Sequence, residues 1–78
     1  MDECLLEKFY RTWYHELIRW CGHMTKDTGL AEDLVQEAFL RAISHLPLLE
    51  TLSEKQQRAW FYRTVKNLYL DRKRHERY

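Results

Sequence analysis

The chain has 78 residues, enough for one small domain of three or four helices but not for two separate cores. Its make-up, 45% hydrophobic, 14% aromatic and 32% charged, is that of a folded globular domain and excludes a membrane or fibrous class. The net charge of +1 conceals a split: residues 1–57 hold six Lys/Arg against ten Asp/Glu, whereas residues 58–78 hold seven against two. A basic end on an acidic body points to an anionic partner at that end.

The first segment, roughly residues 2–22, places Leu5, Leu6, Phe9, Trp13, Leu17, Trp20 and Cys21 at helical spacing, with Glu7, Lys8, Arg11, Glu16 and Arg19 between them. This predicts an amphipathic helix. The opening Met1-Asp2-Glu3-Cys4 lacks the basic-then-apolar layout of a signal peptide, and no apolar run reaches the ~18 residues that a membrane span needs. A cytoplasmic location without membrane insertion is expected. Cys4 and Cys21 on one helix lie roughly 25 Å apart, too far to bridge each other.

Gly22 and Gly29 bracket a polar break in which Asp27 or Thr28 is placed to cap a second helix, and Glu32 and Asp33 suit its positive N-terminus. That helix is predicted to reach about Leu46, with Leu30, Leu34, Val35, Ala38, Ala42 and Leu46 as its inner stripe. Pro47 stops it, because a helix interior needs the amide hydrogen that proline lacks. Residues 47–53 read as a short apolar loop, and Ser53 followed by Gln56 resembles a capping box for a third helix over about 54–75. Trp60, Phe61, Thr64, Val65, Leu68 and Tyr69 are expected inside it, and Arg58, Arg63, Lys66, Asn67 and Arg74 outside. The expected architecture is all-α, a compact bundle of three long helices joined by short loops.

Catalysis finds no foothold in these residues. His15, His23, His45 and His75 are scattered over several segments without ligand spacing, no Cys-x-x-Cys occurs, and Glu32 and Asp33 point to different faces of a helix. Neither an enzyme, a metal site nor a cofactor is expected.

Two other groupings carry chemistry. Asp33, Gln36 and Glu37 lie within about one helical turn and, with Phe39, Leu40 and Ile43, set an acidic patch beside apolar side chains, which is the anatomy of a protein interface. On the third helix Arg58, Arg63, Lys66, Arg72, Lys73, Arg74 and Arg77 can neutralise phosphates. Asn67 can hydrogen-bond a base edge, and Tyr62 offers a stacking surface for an unpaired base. Asp71 would repel phosphate and is better placed to pair with Arg41. Plainer alternatives stand beside these: a solvated acidic face with Phe39 in the core, a basic run that only solubilises, and Trp60 as core rather than as a base-stacking wedge.

The run Ala31-Glu32-Asp33-Leu34-Val35-Gln36-Glu37-Ala38-Phe39-Leu40-Arg41-Ala42 resembles the helix by which bacterial sigma factors grip RNA polymerase. The stretch from Ala59 to Arg74, beginning Ala59-Trp60-Phe61-Tyr62-Arg63-Thr64-Val65-Lys66-Asn67, resembles the same family's promoter-reading helix. Together, in this order, they are similar to region 2 of the extracytoplasmic-function type, over nearly all of residues 1–78. The resemblance implies a transcription initiation domain whose second helix docks on the clamp helices of the largest polymerase subunit through Asp33, Gln36, Glu37, Phe39, Leu40 and Ile43. It implies that Arg58, Tyr62, Arg63, Lys66, Asn67 and Arg74 capture and melt the minus-ten promoter element as single-stranded DNA, with an anti-sigma factor as a further partner. The family's C-terminal helix-turn-helix module, region 4, is expected to be absent here. The loop 47–56 lacks the Gly and Phe often found there, and position 73 is Lys where the family often has an apolar residue. The alternative function is a helical module that binds polymerase or an anti-sigma factor without reading DNA. A general helix-turn-helix binder is disfavoured, since no short second helix with a tight glycine turn precedes the basic helix.

Overall fold

The computed structural model describes residues 4–76, which form four helices in the order α1 (Leu5–Thr25), α2 (Thr28–Ser44), α3 (Leu46–Leu49) and α4 (Glu54–Glu76). Three of them are long and their connections short, so the all-α bundle is as expected. Asp2 of the first predicted segment lies outside the described residues, as does Arg77 of the basic run.

The turn after α1 comes later than Gly22 suggests. The helix runs through Gly22 to Thr25 and stops at Lys26, whose backbone turns left-handed (φ 56°) and donates its N–H to the Gly22 carbonyl at 2.8 Å. A cationic residue at a helix C-terminus suits the negative end of the dipole, and the 5→1 bond satisfies a carbonyl that would otherwise be orphaned. Asp27 then caps α2 as expected, its Oδ1 accepting from the Leu30 amide at 3.1 Å. Thr25 ties the turn from the other side, donating its hydroxyl to the Asp27 carbonyl and accepting the Asp27 amide. Glu32 and Asp33, by contrast, lie beyond the first turn of α2, where the dipole's effect has already fallen off.

Helix α2 ends at Ser44, two residues short of Leu46, and residues 46–49 are a single helical turn rather than loop. Pro47 starts that turn, where a missing amide hydrogen leaves nothing unsatisfied. The turn exists because Leu49 is driven fully into the core, and Gln57 holds it there. The Gln57 side chain is itself buried, and its Nε2 donates to the Leu49 carbonyl at 2.7 Å. No periodic pattern marks Gln57 as a core residue. The capping box does form: the Gln56 amide donates to Ser53 Oγ at 3.2 Å and the Ser53 amide to Gln56 Oε1 at 3.0 Å.

The core is aromatic and centred on Phe61. Its ring packs against Phe9 (5.3 Å between centroids), Trp13 (5.8 Å), Phe39 (4.7 Å) and Trp60 (5.1 Å), so this one side chain of α4 touches both α1 and α2. Leu17, Cys21, Leu34, Val35, Ala38, Ala42 and Val65 fill the space around it. Ala31 and Phe39 are buried as well, beyond the predicted stripe of α2, while Leu5, Leu6, Trp20, Leu30, Leu46, Trp60, Leu68 and Tyr69 are only half-buried at the margin. Burial raises the Cys21 thiol above its ordinary pKa; both Cys21 and Cys4 are free thiols. No helix among the described residues is long and apolar enough to cross a membrane.

Candidate functional site

Two faces of the bundle carry the candidate residues. On α2 the side chains of Asp33, Gln36, Glu37, Leu40 and Ile43 are all exposed, with Leu40 at 59% and Ile43 at 50%. Phe39 is not part of that surface. It is 8% exposed and turns inward onto Phe61, so it contributes to the face as the floor of a groove. The groove's other wall comes from α1: Leu6, Tyr10 and Tyr14 stand opposite Gln36, Leu40 and Ile43, with Tyr10 and Tyr14 stacked at 4.3 Å. Sequence reasoning missed Tyr10 and Tyr14. Their spacing of four from Leu6 was the available signal, since residues four apart share a helix face. The acidic end of α2 faces a second, more polar depression in which Asp33, Gln36, Glu37 and Leu40 meet Leu68 and Arg72 of α4.

Helix α4 does not gather its six candidates into one place. At about 100° per residue, Arg63, Asn67 and Arg74 fall along one flank, Arg58 and Tyr62 along another, and Lys66 on the crest between them. Arg63 and Asn67 lie at the mouth of a cleft whose other walls are Arg41, His45, Leu48, Trp60 and Thr64. His45 donates Nδ1–H to the Arg41 carbonyl at 2.8 Å, which fixes the ring and leaves Nε2 unprotonated in the neutral form. Thr64 returns its hydroxyl to the Trp60 carbonyl at 2.7 Å. Trp60 is half-buried, edge-on to Phe61 on one side and near His45 (5.6 Å) on the other, so it is both core margin and cleft wall. Arg41 and His45 are further residues of this cleft; they come from the last turn of α2 and the residue that follows it, and no motif of α4 points to them.

The opposite flank differs from expectation. Tyr62 is half-buried rather than a free stacking surface. Its ring packs on Trp20 (4.6 Å), the Arg58 guanidinium lies 4.8 Å from its centroid, and its hydroxyl donates to Glu16 Oε2 at 2.5 Å. Burial first, then the hydrogen bond and charge of Glu16, push the Tyr62 phenol above its ordinary pKa. Arg58 is exposed but occupied, with Nε and Nη2 both 2.8 Å from the same Glu16 oxygen. The expected Asp71–Arg41 pair does not form. Asp71 pairs with Arg74 one turn along α4, and Arg41 lies 3.7 Å from Glu37 one turn back on α2, because each finds a partner on its own helix without crossing the bundle. Among the described residues, no group of three His, Cys, Asp or Glu is placed to hold a metal ion.

The family model described as Sigma-70 region 2 matches residues 9–78. The chain is 30% identical over 66 residues to the ECF RNA polymerase sigma factor SigM of Bacillus subtilis (strain 168), covering 85% of this chain and 39% of that protein. It is 30% identical over 77 residues to SigL of Mycobacterium tuberculosis (strain H37Rv), covering 99% and 43%, and 33% identical over 72 residues to SigC of the CDC 1551 strain, covering 92% and 37%. The chain thus spans about two fifths of the length of the curated relatives it matches. No solved structure matches it.

Proposed function

The chain belongs to the sigma-70 region 2 family, and from that membership we propose that it is a transcription initiation domain that docks on core RNA polymerase and captures the minus-ten promoter element as single-stranded DNA. The observation that carries the DNA half is the cleft in which Arg63 and Asn67 face Trp60 and His45. An amide that can pair with a base edge, a cation for the adjoining phosphate and aromatic walls for an unstacked base meet there. Docking falls to α2, where Leu40 and Ile43 anchor a clamp helix in the groove while Asp33, Gln36 and Glu37 steer its basic residues.

No catalytic step or cofactor enters the mechanism. The duplex opens because stacking lost by each flipped base, a few kcal/mol, is exchanged for contacts with the cleft and with Lys66 and Arg74 along the phosphates. The domain would act in the cytoplasm, and an anti-sigma factor would restrain it by occupying the same surfaces. The exposed apolar groove favours one competing reading, a module that binds polymerase or an anti-sigma factor and does not read DNA.

One pair of assays separates them: capture by the polymerase clamp fragment, beside binding of a minus-ten oligonucleotide at two salt concentrations. The expected result is clamp binding together with preference for single-stranded DNA. Asn67→Ala should lose about 1–3 kcal/mol of base preference, while Lys66→Ala weakens all sequences alike and lowers the salt slope by about 0.7. Clamp binding with no DNA preference, and no effect of Arg63→Ala, would favour the interaction module.

A further inference from the structure

Arg58 and Tyr62 lie on the helix assigned above to DNA, yet both are held by a carboxylate from another helix. We propose that Glu16 of α1 is a built-in competitor for nucleic-acid phosphate, closing Arg58 and Tyr62 until a backbone phosphate takes the carboxylate's place. This rests on the reading that α4 binds single-stranded DNA, and it adds a residue of α1 to that binding.

The geometry of the pair makes it replaceable. A guanidinium binds best when its two parallel N–H groups meet two oxygens of a carboxylate or phosphate. Here Arg58 Nε and Nη2 converge instead on one oxygen, Glu16 Oε2, each at 2.8 Å, and the Tyr62 hydroxyl donates to the same atom at 2.5 Å. A phosphate can offer separate oxygens to the fork and to the hydroxyl. The Arg58 and Glu16 side chains are 54% and 38% exposed, so solvent screens their attraction and makes the exchange a small one. The fold does not need the carboxylate to keep Tyr62 in place, because the Trp20 ring supports it from α1 at 4.6 Å.

The same helix carries a comparison about three turns on. Lys73 lies 5.5 Å from the centre of the Tyr69 ring, and both belong to the flank that holds Arg58 and Tyr62. Glu16 bridges only the first of these two cation–tyrosine pairs. Arg58, Tyr62 and Lys66 follow one another at intervals of four, so opening the first pair extends the phosphate track of α4 by about 12 Å toward its N-terminus.

The test is equilibrium binding of a labelled single-stranded oligothymidylate, followed by fluorescence anisotropy across a potassium chloride series. Wild type, Glu16→Gln, Arg58→Ala, the double variant and Arg63→Ala are compared, each with its melting temperature. Glutamine keeps the shape of the side chain and an acceptor for Tyr62. The expected outcome is binding about two- to fivefold tighter for Glu16→Gln at low salt, with a log–log salt slope steeper by about 0.7. Arg58→Ala should abolish that gain in the double variant and cost less in the wild-type background. Unchanged or weaker binding by Glu16→Gln overturns the proposal, and a marked fall in its melting temperature alongside assigns Glu16 to holding α1 on α4. If wild type and Arg63→Ala are indistinguishable on this probe, the DNA reading of α4 itself fails, whichever way Glu16→Gln moves.

Discussion

Neighbouring residues on α2 serve opposite ends. Phe39 is packed on Phe61 and beneath Tyr10 and Tyr14, so Phe39→Ala removes a core ring and should cost about 3–5 kcal/mol in a denaturation experiment. Leu40, at 59% exposed, can be replaced at little cost to folding; Leu40→Asp should melt close to wild type while weakening capture by the clamp fragment by roughly tenfold or more. A large loss of stability from Leu40→Asp would show that this side chain is core. Titration separates two further residues. Tyr62 and Cys21 both have pKa values raised in the folded chain, mainly by burial, so the folded state keeps these protons longer than the unfolded one. Their contribution to stability is complete below the unfolded values, about 8.5 for Cys and about 10 for Tyr, and is lost as pH rises through the folded ones. Unfolding followed from neutral to alkaline pH should show this decline, and Tyr62→Phe should remove its upper part.

The elements were legible wherever a period and a cap agreed, as with Asp27 before α2 and the Ser53–Gln56 pair before α4. Asp27→Ala should cost about 0.5–2 kcal/mol by chemical denaturation, because the Leu30 amide loses the carboxylate oxygen it donates to at 3.1 Å. Legibility failed where a helix tolerated a residue that usually ends one. Gly22 reads as a boundary in the sequence, but α1 passes through it with helical geometry and nothing lies within 4 Å of where a Cβ would project. Gly22→Ala should therefore stabilise the domain by up to about 1 kcal/mol and raise its melting temperature by several degrees. A fall in melting temperature would mean that the glycine is needed for backbone approach. The one-turn α3 was not readable at all, since four residues carry no period; it is set by the burial of Leu49 and by Gln57, contacts that exist only once α4 has docked.

At the scale of the whole molecule, the two charge domains seen in the sequence became two faces, the acidic one on α2 and the basic one on α4. What the sequence could not tell was which basic residues are already engaged. Arg58, Tyr62 and Arg74 have partners in the folded chain, whereas the Arg63–Asn67 cleft needed Arg41 and His45 from the end of α2, more than fifteen residues away, to become a cleft. A pattern along one helix reports exposure, and the pairing of side chains across helices requires the packed bundle. The shape of α4 has a further consequence. Its residues 70–75 are all exposed, past the point where Phe61 and Val65 meet the core. Amide hydrogens at Phe61 and Val65 should therefore exchange with solvent deuterium only through global unfolding, while those beyond Leu70 exchange through local fraying at a free energy near zero. A strand of DNA laid along this end should slow the exchange of its last turns first, so that the least protected part of the free chain becomes the most sensitive reporter of the bound one.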